Sequence, residues 1–381
     1  MPFDTAEFRI SLQKLLMALI VILIPIMLFG LYVGLQANQQ VQQMNGAYFR
    51  TITRASAAMT SEYIAERVAE VVLIANQPSV QQSVMAASRA YEHVPESTIQ
   101  AKAEQLETKW NTAESDVLAR NIIGSEAAQA IRRHRELNPK LLRITVVDQA
   151  GAAVAATDKP LRYFQTETEY WRVFSSNAHP SVYVSDLHYD ETSRAQYISI
   201  SAPVFQDGSG RFVGAVTALV DMSPLFGYLN QQQIAQTGRV FLVKDDGTVI
   251  ASPGLTPAGR VKSEEYNAIR DALGTLHGRE TGYTKATLTN GVDYLIGFAD
   301  TGLKAAYTNL GWIVVATQET REAEGAVRTM ARFSVTLLVV GLILLSVLGA
   351  YVYAHRRQEI EDIEPKEEKE GEEKIKVAKA S

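Results

Sequence analysis

The chain has 381 residues, 42 acidic and 37 basic side chains, a net charge of -5 and no cysteine. So mild a negative balance leaves no electrostatic footprint for nucleic acid, and the lack of thiols excludes disulfides, thiol chemistry and cysteine-bound metal while remaining compatible with an oxidising compartment. A mean hydropathy near zero hides two apolar runs that bracket nearly everything else.

The first run, Leu15 to Leu35, carries no charge and is long enough to cross a hydrocarbon layer about 30 Å thick as a helix. Gln36, Asn38, Gln39 and Gln40 follow it in place of a small-residue cleavage site, so it reads as an uncleaved anchor. Arg9 and Lys14 precede it and nothing basic follows before Arg50, which holds residues 1–14 in the cytoplasm. The next segment, 36–140, reads as a helical stalk. Glycines are few, and Ile52, Ala55, Met59, Ile64, Val68, Val71 and Val72 recur at helical steps. That stripe packs against the domain it supports or against its copy in a homodimer.

At Leu141 the period changes. Leu142 to Val147, the turn Asp148-Gln149-Ala150-Gly151 and Ala153 to Ala156 read as a hairpin, and a helical piece with Tyr170, Trp171, Val173 and Phe174 comes next. Ser181 to Ser185, Gln196 to Phe205 and Phe212 to Asp221 supply three further strands, completing a first module over 141–225. A shorter version follows over 226–318: a hairpin from Gly238 to Ala251, then strands at Gly282 to Thr289, Val292 to Ala299 and Trp312 to Gln318. Residues 319–332 read as a helix entering the second apolar run, Phe333 to Ala354. Arg328 and Arg332 lie before that run and His355, Arg356 and Arg357 beyond it, so the first span decides orientation. The tail, 355–381, is too charged to order itself and is expected in the cytoplasm.

The expected fold class is α+β: a long N-terminal helix and two tandem PAS-like antiparallel-sheet modules, flanked by two transmembrane helices. The segments Val182-Tyr183-Val184-Ser185-Asp186, Ser201-Ala202-Pro203-Val204, Gly210 to Val216, Gly238 to Ala251 and Leu310 to Val315 together resemble a double Cache sensor domain over Ala37 to Arg332. The resemblance implies a bacterial inner-membrane protein whose central domain lies outside the cytoplasm, with a ligand pocket in the membrane-distal module. Amino-acid-binding members carry a tyrosine, an arginine five residues on for the ligand carboxylate, an aromatic pair after that, and a later aspartate for the ammonium group. Tyr163 and Asp190 stand at the first and last of these positions, but Thr168 occupies the arginine's place and the pair is inverted as Tyr170-Trp171. A hydroxyl does not replace a bidentate guanidinium. What remains is an aromatic and acidic wall of Tyr163, Tyr170, Trp171 and Tyr183 with Asp190 and Asp186, which suits an amine or quaternary ammonium ligand better than an amino acid. The same aromatics would equally fill a core.

The six histidines are dispersed, Gly208-Ser209-Gly210 lacks the context of a phosphate loop, and no nucleophile elbow is present. No cofactor, metal or enzymatic activity is implied. The expected role is a membrane-anchored sensor of a small molecule that signals through a separate effector. Its alternative is a scaffolding protein that uses Cache-like modules for surface assembly.

Overall fold

The computed structural model describes residues 12–91, 93–112, 115–177, 180–190, 195–206, 208–232, 234–252, 261–273, 281–325, 329, 332–333, 335–336, 338–347 and 349–350. Those of 46–320 form one compact unit and those of 12–45 and 321–350 another. Helix α1, Leu12–Ala75, contains the first apolar run. Many side chains of that run, several residues of the second run, and all of 1–11 and 351–381 lie outside the described residues. Among the described residues no helix is long and apolar enough to cross a membrane.

The expected stalk is not one helix. Pro78 opens α2 (Pro78–Arg89) after a break at Asn76 and Gln77, and Pro95 precedes α3 (Glu96–Trp110). Proline has no N–H for the preceding turn and disfavours the helical region for its neighbour, so the chain restarts at each. Between α4 (Ser115–Gly124) and α5 (Glu126–Leu137), the Ser125 hydroxyl accepts the Ala128 N–H at 3.1 Å and caps the new helix.

The first sheet comprises β1 (Leu141–Asp148), β2 (Ala153–Ala156), β3 (Tyr183–Val184), β4 (His188–Asp190), β5 (Ala195–Phe205) and β6 (Phe212–Asp221), with α6 (Glu169–Ser175) between β2 and β3. Its order is β2-β1-β6-β5-β3, β4 pairs with β5 as well, and every pairing is antiparallel. Side chains alternate between faces along each strand. On one face Ile144, Val146, Ile198, Ile200, Ala202, Val216, Ala218 and Val220 are buried beneath α2 and α5, which contribute Val84 and Ile131. Packing there is tight: a Cβ on Gly214 would lie 2.7 Å from the Val84 side chain.

After α7 (Ser223–Gln231), the second sheet is built from β7 (Arg239–Lys244), β8 (Val249–Ala251), β9 (Thr281–Thr287), β10 (Asp293–Asp300) and β11 (Trp312–Glu319), in the order β8-β7-β11-β10-β9. Helix α8 (Glu264–Leu273) covers one face through Tyr266 and Ile269, packed with Phe241, Phe298 and Val315. The other face meets α1, where Phe49 lies against Gly297. Helix α9 (Thr320–Ala323) follows β11. Further along α1, Ser56 donates to the Gln232 side chain at 2.7 Å and the Tyr63 hydroxyl donates to the Asp221 carbonyl at 2.9 Å, so one helix is fastened to both modules.

Candidate ligand-binding site

The second face of the first sheet is polar. Thr145, Thr217 and Ser201 are cross-strand neighbours on β1, β6 and β5, and in the adjacent row Arg143 opposes Leu219, which opposes Ser199. Ser201 is buried, whereas Arg143, Thr145, Ser199, Thr217 and Leu219 are half-buried. The Ser201 and Thr217 hydroxyls lie 2.8 Å apart. Helix α6 covers the end of this face towards Val147 and Ala215, placing Tyr170, Trp171 and Phe174 on those residues and Phe212.

Thr168 immediately precedes α6, and its hydroxyl donates to the Gln165 carbonyl at 2.6 Å. Burial pushes the Tyr170 hydroxyl up to about 12, an effect that the neighbouring Thr217 and Thr168 side chains partly offset. Tyr183, opposite Ser201 on the neighbouring strand, donates to Glu169 at 2.5 Å and accepts from the Asn309 amide at 3.2 Å. Burial, with the Glu169 carboxylate beside it, raises its hydroxyl strongly. The structure therefore gathers Thr168, Tyr170, Trp171 and Tyr183 around one hydroxyl-lined patch.

The other expected residues lie elsewhere. Asp190 pairs with Ala195, six residues along β5 from Ser201, a separation of about 20 Å at strand rise. Tyr163 packs on Trp110, Ala153 and Ala156. Asp186 forms an ion pair with Lys244 at 2.5 Å, the two side chains joining the two modules. Thr145, Ser199, Ser201 and Thr217 were not expected at the site. Their signal was present as hydroxyl residues at alternate positions within apolar strands.

A separate open cleft of about 980 Å³ lies between α3 and the loops beside α6. Phe164, Trp171, Phe174 and Phe212 form its apolar part and Tyr91 lines it as well; Trp171 is the one expected site residue that reaches it. Glu107 on its wall is occupied by the Tyr163 and Phe164 backbone amides at 3.0 and 2.9 Å, and Arg162 pairs with Glu167. Near Tyr91 lies Asp148, 1% exposed, whose carboxylate accepts the Ala150 and Ala152 amides at 2.9 and 3.0 Å and interacts electrostatically with the Tyr91 hydroxyl. Burial raises this carboxyl from 3.8 to about 6.

The family model for the Cache domain matches residues 37–327. The chain belongs to the Cache-domain family. The double-Cache resemblance read from the sequence is thereby borne out, and the two antiparallel sheets behind a long N-terminal helix agree with it. This Cache domain is also similar in structure to the ligand-binding domain of the amino acid chemoreceptor PctB from Pseudomonas aeruginosa PAO1, solved with L-Arg, at 15% identity and a TM-score of 0.43, covering 73% of this chain and 96% of that one. For the Pseudomonas fluorescens chemoreceptor CtaA domain with L-isoleucine the values are 12%, 0.48, 76% and 98%. For the extracellular domain of the putative histidine kinase mmHK1S-Z2 they are 14%, 0.46, 72% and 97%. No curated protein matches the chain.

Proposed function

We propose that this Cache-domain protein is a membrane-anchored sensor whose extracytoplasmic domain receives a small polar molecule on the hydroxyl-lined face of its distal module. The observation that carries the reading is a sheet face with Thr145, Ser199, Ser201 and Thr217 pointing away from the core, bounded by Tyr170, Trp171 and Tyr183. A face built only for stability would be apolar there, because a buried hydroxyl gains little over a methyl group when it must find a partner. The aromatic edge favours amines, quaternary ammonium compounds and amino acids. Anchoring is supported by the uncharged runs 15–35 and 333–354, and residues 36–332 would then lie outside the inner membrane of a bacterium. The signal passes to a partner protein through the spans, where Gly341, Ser346 and Gly349 offer small surfaces for helix contact.

The test is a ligand screen of the full chain in detergent, using amines, choline, amino acids and small carboxylates, with Ser201→Val/Thr217→Val as the blocked control. Binding that disappears in the control supports the reading. Binding that ignores it removes the face as the site, and recovery of large regular arrays of the chain from native membranes, with no ligand bound, would favour scaffolding instead. Protease added to spheroplasts should degrade 36–332 and spare a tag on Ser381; loss of the tag with the domain intact would overturn the topology.

A further inference from the structure

Arg143 stands apart from the other arginines around the distal sheet that are buried or half-buried. Arg67 is paired with Glu66 and Glu70 and Arg135 with Asp158, while Arg132 donates to the Ile123 carbonyl. Arg143 is half-buried in the middle of β1, yet among the described residues no carboxylate lies within ion-pair distance of its guanidinium and no acceptor bonds to it. Removing part of the hydration of a cation without a replacement partner is unfavourable, so such a group is poised for an anion. Strand alternation puts Arg143 on the same face as Thr145, in the row of Leu219 and Ser199, next to the row of Thr217 and Ser201.

The charges around it are otherwise occupied or distant. Lys140 lies over the Tyr63 ring at 5.5 Å, and the Asp221 carboxylate accepts the Ser223 amide at 2.9 Å. Tyr197 lies within electrostatic reach of both Arg143 and Asp190. Asp190 itself sits at the end of β4, opposite Ala195, four residues along β5 from the Ser199 row and hence about 13 Å away along the strand. Glu169 is engaged by Tyr183.

We propose that Arg143 is the carboxylate anchor of the polar face, so that the ligand of this domain carries a carboxylate group held by a strand arginine instead of by the loop position that Thr168 fills. A guanidinium offers two parallel donors to a carboxylate, and the neighbouring Thr145, Thr217 and Ser199 hydroxyls supply further donors without a competing negative charge. The inference rests on the sensor reading and narrows its ligand: an amine or neutral molecule without an acid group would leave the guanidinium unanswered.

The experiment is calorimetric titration of the full chain in detergent with acetate, propionate, succinate and glycine, against butylamine and choline as probes without an acid group. Wild type is expected to bind at least one carboxylate. Arg143→Gln should weaken it about ten- to hundredfold, as for loss of a hydrogen bond to a charged group. Arg143→Lys should recover part of the loss, and Arg211→Gln, an exposed arginine of the cleft, should have no effect. Circular dichroism and unchanged melting of Arg143→Gln would separate lost binding from lost folding. Carboxylate binding that survives Arg143→Gln overturns the assignment. Binding confined to butylamine or choline, abolished by Ser201→Val/Thr217→Val, would end the Arg143 role while leaving the sensor reading intact. Binding of no probe by wild type would count against both.

Discussion

Replacing Asp148 by asparagine should stabilise the domain at neutral pH and leave it unchanged in acid. In the folded chain, burial holds this carboxyl at about 6, against 3.8 in the absence of structure. The folded state therefore binds the proton more tightly than the unfolded one. The group's contribution to stability is full below 3.8, declines as pH rises, and is gone above about 6. At about 1.4 kcal/mol per unit, the ionised carboxylate costs about 3 kcal/mol at neutral pH relative to its protonated form. Asparagine keeps one oxygen for the Ala150 and Ala152 amides, and its amide group faces the Tyr91 hydroxyl, which can accept as well as donate. Asp148→Asn should thus gain up to about 3 kcal/mol near pH 8, nothing near pH 3, and lose most of the pH slope between them. Denaturant unfolding of both proteins across that range, followed by tryptophan fluorescence, measures this directly. A variant less stable than wild type at neutral pH and equal to it in acid would refute the reasoning, because the anion's hydrogen bonds would then outweigh its desolvation.

Two further outcomes follow from contacts in the compact unit. Asn309→Ala removes the amide that donates to Tyr183 at 3.2 Å and to the Val184 carbonyl at 3.0 Å, and should cost about 1–3 kcal/mol; an unchanged unfolding midpoint would show that solvent replaces it. Gly297→Ala would bring a Cβ to 2.8 Å from the Phe49 Cβ and should cost about 1–3 kcal/mol by overpacking between β10 and α1, read as a lower melting temperature; no loss would mean that α1 yields at that point.

The hairpins were legible because period-two apolarity and turn residues coincide: β6 runs from Phe212 to Asp221 as its pattern predicts, and β7 to β8 turns at Asp246-Gly247. Helices α7 and α8 were not expected, although each has a start signal: Ser223-Pro224 for α7, and for α8 the Ser263 hydroxyl, which accepts the Tyr266 amide at 3.1 Å. Both segments are under three turns long, so the helical period set by Leu225, Phe226 and Leu229 or by Tyr266, Ile269 and Leu273 is too brief to stand out. The site was legible only in part. The family resemblance brought Tyr170, Trp171 and Tyr183 together, and α6 and β3, which carry them, do lie side by side. Spacing along the chain gave no means of placing Asp190, whose distance from them depends on which residues of β5 it pairs with. Arg143 was not singled out, because one charge in an apolar strand does not reveal what the opposite face of its sheet becomes.

The segment of α1 from Gly46 to Ala75 is a stiff splint of about 45 Å, at 1.5 Å per residue. The second sheet is clamped to it at Phe49 and Gly297, and the first is clamped at Tyr63 and Asp221. A helix of this kind neither stretches nor shortens easily, so the spacing of the two modules along it is fixed. With that spacing held, a change in one module reaches the other as a turn of the splint about its own axis and not as a stretch, and rotation is the mechanical vocabulary in which a ligand on the distal face would have to be expressed.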